Sequence, residues 1–152
     1  MIAAGGADKK VHILQAASGQ TISFAAHKAP IRAVRFVDIP SASAPIIASG
    51  SWDSTVSYWD MRQTASPVAT LQCGDRVYSM DSAGPLLVIA TADHNIHLVD
   101  LHSNPAALMR TNKSQLKHQI KAVATTPDGK YWATGSIEGR CSASAVDEKE
   151  NK

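Results

Sequence analysis

Ala48-Ser-Gly-Ser-Trp-Asp-Ser-Thr-Val-Ser-Tyr-Trp-Asp60 is the stretch that decides the fold, because the chain repeats it. Upstream lies Ala4-Gly-Gly-Ala-Asp8-Lys-Lys-Val-His-Ile-Leu14. Downstream lie Ala90-Thr-Ala-Asp93-His-Asn-Ile-His-Leu-Val99-Asp100 and Ala133-Thr-Gly-Ser-Ile-Glu138-Gly-Arg-Cys-Ser-Ala-Ser144. The acids fall at positions 8, 53, 93 and 138, with steps of 45, 40 and 45. Each copy holds a run of small residues, an acid, a short turn and an alternating strand. A period of ~40–45 residues built this way is the length of one four-stranded propeller blade.

Composition sets the bounds. With 152 residues, 44% of them hydrophobic and 18% charged, the chain is long enough for a core and too apolar for disorder. Only Met1 to Ala4 precede the first glycine pair, so no secretory leader is expected. The apolar run at 86–90 is far too short to span a bilayer, and no membrane insertion is expected. Cys73 and Cys141 lie in different repeats without a paired spacing, which reads as reduced thiols in a cytosolic or nuclear protein. Residues 110–140 carry six basic and two acidic side chains, a local excess that reads either as ordinary surface lysines or as a match for an acidic peptide or a phosphate backbone.

Between turn signals the chain reads as strands throughout. Strands are expected over 31–37, 46–50, 55–59, 68–72, 76–81, 86–91, 95–100, 108–111, 120–125, 131–135 and 140–146. No segment carries a helical period. The repeats cover about 1–15, 27–60, 74–100 and 118–146, with a charged tail over 147–152. The fold class is therefore all-β: a partial propeller of two whole blades flanked by two incomplete ones. Propellers close with roughly 4–8 blades, and open blade faces invite pairing, so the chain is expected to be part of a larger ring.

The motifs point to a family. Gly50-Ser-Trp-Asp53, Tyr58-Trp-Asp-Met-Arg62, Ala69-Thr-Leu-Gln-Cys73, Arg76-Val-Tyr-Ser-Met-Asp81, Ile89-Ala-Thr-Ala92, Leu116-Lys-His-Gln119 and Gly135-Ser-Ile-Glu-Gly-Arg140 occur in this order. Together they resemble the poly(A) RNA export WD-repeat proteins of the nuclear pore. The mitotic-checkpoint WD-repeat proteins, a sister family, share the Trp-Asp blade and the last two runs. The resemblance implies a seven-bladed propeller acting as a non-enzymatic adaptor in mRNA export. It implies a nucleoporin carrying a GLEBS motif as peptide partner, contact with mRNA or single-stranded RNA, and residence in the nucleus and at the nuclear envelope with shuttling to the cytoplasm. The alternative is a spindle-checkpoint scaffold that binds checkpoint kinases.

In both families the arginine of the last run meets acidic residues of the docked peptide, and here that arginine is Arg140. A guanidinium grips a carboxylate through two parallel hydrogen bonds. Lys117, Gln119 and Lys121 lie in or beside the preceding run, and Trp52 and Tyr78 are further candidates for the peptide face. Ile120-Lys121 stands where the family usually has Thr-Arg, which keeps the charge and loses the fork. After Arg140 the family continues with an aromatic-rich strand, where this chain has Cys141-Ser-Ala-Ser-Ala-Val146.

His27, Ser49, Asp53 and Trp59 admit two readings. Ser, His and Asp together suggest a hydrolase. In WD repeats the same places hold a structural tetrad, in which indole, hydroxyl, imidazole and carboxylate form one hydrogen-bonded chain, and the spacing favours this. No G-x-S-x-G occurs, and no phosphate-cradling loop, so neither a catalytic residue nor a bound cofactor is expected. Elsewhere the tetrad reads as decayed. The unit around Asp93 has Ile89 and Val99 at the Ser and Trp places, and the last unit keeps His118, Thr134 and Glu138 but has Ser144 for Trp. The cluster Asp93, His94, His97, Asp100, His102 does not converge on one strand face, so no metal is expected. Ile137-Glu-Gly-Arg140 matches a protease-recognition sequence, but its Glu sits on the repeat's acid position and belongs to the repeat.

Overall fold

Alternating and wholly apolar runs, separated by turns and loops, give fourteen strands and no helix in a computed structural model that describes residues 1–147. The last five residues of the expected tail, 148–152, lie outside the described residues. The first sheet holds β1 (Ile2–Gly5), β2 (Lys10–Gln15) and β3 (Gln20–Ala25). The second holds β4 (Ile31–Val37), β5 (Ile46–Ser51), β6 (Thr55–Asp60) and β7 (Ala69–Gln72). The third holds β8 (Val77–Ala83), β9 (Leu86–Thr91), β10 (Asn95–Asp100) and β11 (Arg110–Lys113). The fourth holds β12 (Ile120–Thr125), β13 (Tyr131–Ser136) and β14 (Cys141–Ala145). All neighbours are antiparallel and follow chain order, so each sheet is a meander and the whole is a partial β-propeller. One strand lies away from its expected place: 108–111 becomes Arg110–Lys113, because Leu108 and Met109 stay in the exposed loop.

The sheets stack face to face. Val11 and Ile13 pack on Ile31, Ile47 and Trp59 between the first and second sheets. Ala48, Val56 and Tyr58 meet Met80, Leu87, Ile89 and Val99 between the second and third. Val88, Ala90, Ile96 and Leu98 meet Ile120, Val123 and Trp132 between the third and fourth. β5 and β9 are buried along their whole length, which is why they read as continuous small and apolar runs rather than alternating ones. Glycine marks the tightest approaches. A Cβ at Gly5 would stand 2.5 Å from Ile31 Cγ2, and one at Gly50 would stand 2.7 Å from Val77 Cγ1.

The inner strands β4, β8 and β12 are also stitched to one another. Asp81 on β8 accepts from Arg35 Nε on β4 at 3.0 Å, and from the amide and hydroxyl of Thr125 on β12 at 2.8 and 3.0 Å. Ser79 Oγ accepts from the Val123 amide at 3.1 Å. One carboxylate thus ties three successive blades beside the axis.

The turn after each second strand uses the same conformation. The residue following the acid is left-handed in every repeat: Lys9 at φ 66°, Ser54 at 69°, His94 at 65° and Gly139 at 78°. Only the last is glycine, so three side chains carry the steric cost of that region. Ser54→Gly is expected to raise stability by about 0.5–1 kcal/mol, net of the extra freedom glycine gives the unfolded chain. A denaturant midpoint equal to or below that of the parent would refute it.

Candidate functional site

The second sheet brings His27, Ser49, Asp53 and Trp59 into one chain of hydrogen bonds. Trp59 Nε1 donates to Ser49 Oγ at 2.8 Å, Ser49 Oγ meets His27 Nε2 at 2.7 Å, and His27 Nδ1 meets Asp53 at 3.0 Å. The His27 side chain is 1% exposed, so its nitrogens are affordable inside only because both are partnered. Burial alone would raise the Asp53 carboxyl. Hydrogen bonds from the Thr55 hydroxyl and the Lys28 amide, with His27 facing it, outweigh burial and hold it below the usual range. The Trp59 ring packs on Phe24 of the first sheet with centroids 4.9 Å apart, which seats the indole between blades. Ser49 is fully buried beneath these groups, out of reach of a substrate.

Two other blades build a different chain. His12 and His97 occupy equivalent places on their third strands, four residues after Asp8 and Asp93. His12 Nδ1 meets Ser23 Oγ at 2.7 Å and His97 Nδ1 meets Thr111 Oγ1 at 2.8 Å, in each case across to the fourth strand of the repeat pattern. The other nitrogen reaches the acid, directly from His12 to Asp8 at 2.7 Å and through Thr91 from His97 to Asp93. The unit around Asp93, expected to have lost its network, has instead rebuilt it from the third strand. In the last sheet His118 is exposed and approaches Glu138 at 3.5 Å, while Thr134 turns to Ser142 at 3.1 Å, a different pairing from that of the second sheet.

Burial lowers the pKa of His97, partly offset by Asp93 and the Cys73 backbone. The unfolded chain then binds the proton first as pH falls below the ordinary value of 6.5. Stability contributed by neutral His97 is complete above that value and declines as pH falls toward the lowered one. His97→Gln should flatten this decline, by at most about 1.4 kcal/mol per pH unit. Thermal melts at pH 7 and pH 5 check it, and an unchanged difference between them would count against it. Cys73, buried nearby, has its thiol pushed up to about 12 chiefly by burial, so it stays protonated and unreactive at neutral pH.

The exposed candidates gather at one end of the sheets. The amides of Trp52, Ala92 and Ile137 bond to the carbonyls of Pro30, Arg76 and Gln119 at 3.0, 2.9 and 3.0 Å, which docks each second turn against the start of the inner strand. Two residues further on, each inner strand bulges, at Arg32, Tyr78 and Lys121. A bulge leaves its extra residue out of the ladder and re-aims the side chain. Three successive blades therefore present Arg32, Tyr78 and Lys121 at the same rim. Tyr78 is the hub: Trp52 stands edge-on to it at 6.2 Å, Lys121 Nζ lies 5.5 Å from its ring centre, and Arg76 Cζ lies 5.9 Å from it. Cations at such distances are held by the ring quadrupole, and Arg76 also has Asp75 at 3.8 Å as a loose partner.

Three of the sequence candidates, Trp52, Tyr78 and Lys121, thus form one cluster. Arg140 stands on the last turn of the same end, 74% exposed, with Glu138 at 3.8 Å as a loose partner. Lys117 is exposed. Gln119 is committed to the scaffold through its carbonyl, and its side-chain amide nitrogen is buried without a partner. Arg76 and Arg32 were not foreseen. The signal was present: both align with candidate positions once the inner strands, rather than the acids, are superposed.

The residues 18–60 match the family model described as WD domain, G-beta repeat. This unit runs from β3 of one sheet through β6 of the next, so sequence repeat and sheet are offset by one strand. The chain is 43% identical over 149 residues to the "mRNA export factor GLE2" of Chaetomium thermophilum, covering 98% of this chain and 41% of that protein. The chain carries the WD repeat. This WD-repeat chain is also 43% identical to the "Poly(A)+ RNA export protein" of Schizosaccharomyces pombe, covering 97% of this chain and 41% of that protein. To the "Mitotic checkpoint protein BUB3.1" of Arabidopsis thaliana it is 35% identical, covering 89% and 39%. It spans about two fifths of the length of these relatives. Among solved structures, the computationally designed Ika4 protein aligns with a TM-score of 0.77 over 95% of this chain and 84% of that one, at 20% identity, a likeness of fold alone.

Proposed function

We propose that this WD-repeat chain serves as a non-enzymatic adaptor in mRNA export at the nuclear pore, holding an acidic nucleoporin segment of the GLEBS type on the rim of its propeller. The observation that carries the reading is the rim cluster of Trp52, Tyr78, Arg76 and Lys121, two cations and two aromatics where a second turn meets the start of the inner strands. Likeness to two proteins named for RNA export, at 43% identity each, supports the pathway. In this reading a preformed sheet end offers Arg140 to a carboxylate as a fork, Lys121 as a point charge, and Tyr78 with Trp52 as apolar floor. The rim-borne chemistry suits an extended peptide, with RNA engaged beside it by the same positive excess.

Charge reversal tests it. Arg140→Glu together with Lys121→Glu should weaken binding of a GLEBS-type peptide at least a hundredfold, since each loss replaces an attraction with a repulsion. Isothermal titration at two salt concentrations reads the effect. Affinity within threefold of the parent would remove the rim from the site. A parallel titration with a checkpoint-kinase motif separates the spindle-checkpoint reading, which the 35% likeness to a mitotic checkpoint protein keeps in view.

A further inference from the structure

The sequence holds 7 prolines, and two of them follow a hydroxyl residue: Ser66-Pro67 and Thr126-Pro127. As sequence the two pairs are alike. Each matches the serine/threonine kinases that read a proline directly after the acceptor hydroxyl. The structure separates them.

Thr126 is spent on its own turn. Its hydroxyl donates to Asp128 Oδ1 and accepts from the Tyr131 amide at 3.1 Å. Its backbone is tied on both sides, the amide to the Tyr131 carbonyl at 3.0 Å and the carbonyl to the Gly129 amide at 2.9 Å. A hydroxyl that attacks a phosphate must be presented with its oxygen free, and this one has to lose those bonds first.

Ser66 meets the opposite conditions. It lies in the loop of residues 61–68 between β6 and β7. That loop is pinned near its ends, by the Gln63 amide on the Asp60 carbonyl at 3.0 Å and the Val68 amide on the Tyr58 carbonyl at 2.8 Å. Between these points Ser66 and Pro67 are exposed, and among the described residues nothing bonds to the Ser66 hydroxyl. Pro67 biases Ser66 toward extended backbone, the form in which a segment is laid along another protein's groove. The second sheet is packed on both faces, by the first sheet and by the third, so this is the loop of a blade with both neighbours in place.

The surroundings also fix what a phosphate there does. Arg62 is the one cation of the loop sequence, and its Nη2 is committed to Asp60 at 2.7 Å and to Ser43 at 2.9 Å. A phosphate adds about −1.5 to −2 charge, and with Arg62 so engaged it stays off the sheet as a mark open to a partner.

We propose that Ser66 is a phosphorylation site for a proline-directed serine/threonine kinase, and that Thr126 in this fold is withheld from the same enzyme. Ser66 Oγ attacks the γ-phosphorus of ATP, the bond from that phosphorus to the bridging oxygen breaks, ADP leaves, and the hydroxyl proton passes to the kinase's base. β6 runs from Thr55 at the rim to Asp60 at the far end, so the loop lies at the end of the sheets opposite Trp52 and Tyr78. The site stands whether or not the rim binds a peptide.

The full chain is incubated with ATP, magnesium and a kinase of the cyclin-dependent class, in parallel with one of the mitogen-activated class. Mass spectrometry of its peptides locates the phosphate and follows its rate. Synthetic peptides of residues 60–72 and 120–132 give the preference of each kinase for the two sequences without the fold. Phosphate should appear on Ser66, and the Ser66 to Thr126 rate ratio in the chain should exceed that of the peptides by about tenfold or more, the equivalent of one hydrogen bond. Pro67→Ala should slow modification of Ser66 by about tenfold, the worth of one lost apolar pocket contact. No phosphate on Ser66 with either kinase, the same ratio in chain and peptides, or an unchanged rate in Pro67→Ala overturns the proposal.

Discussion

The Gly50→Val variant is expected to lose about 3 kcal/mol of stability, the upper end of what overpacking a core costs. Gly50 is the fifth of the six residues of β5, a strand buried on both faces, and its added Cβ would meet Val77 Cγ1 at 2.7 Å. Val77 is itself fully buried at the start of β8 and β-branched, so it has no free rotamer to move into. Relief requires the second and third blades to separate, which loosens the packing of Met80, Val56 and Tyr58 as well. The equivalent place in the third sheet is Ala90, fully buried against the fourth, so a methyl is accommodated at that interface and not at this one. Gly50→Ala should therefore fall between the parent and Gly50→Val. Denaturant unfolding of the three proteins reads this series, and equal midpoints would show that the blades adjust freely.

Asp81→Ala is expected to cost about 2–3 kcal/mol, because hydrogen bonds to a charged group are worth more than neutral ones and this carboxylate receives three. The change leaves the Thr125 amide without its acceptor and frees Arg35 from the neighbouring blade. Burial works against the ionised carboxyl, but the bonds from Thr125 and Arg35 outweigh it and hold its pKa below the ordinary 3.8. Its contribution is thus fully present above that value and is lost as pH falls through the lowered one. Asp81→Asn keeps an acceptor and should retain most of the stability near neutrality. Chemical denaturation across pH 3 to 7 separates the variants. If Asp81→Ala matched the parent within 0.5 kcal/mol, the inner strands would owe their order to packing alone.

Strand order, blade count and the tetrad residues were legible because they depend on local spacing. The acid, the left-handed residue after it and the alternating strand recur at a fixed offset, so one good copy around Asp53 identified three poor ones. The rebuilt networks of His12 and His97 were not legible, since their partners Ser23 and Thr111 lie on strands that align by register and not by distance from the acid. The role of Asp81 was hidden for the same reason: it acts across blades, through residues more than forty positions away.

By itself the sequence determined that this chain forms antiparallel blades of the WD-repeat kind, because hydrophobic period and turn chemistry act within one repeat. Tertiary structure alone decided which exposed side chains meet. The bulges that turn Arg32, Tyr78 and Lys121 to one rim, and the seating of Trp132 against the third sheet, arise from how the strands are paired and the sheets stacked. A repeat fixes its own hydrogen bonds. Only the packing of repeats on one another fixes what their edges and ends present to a partner.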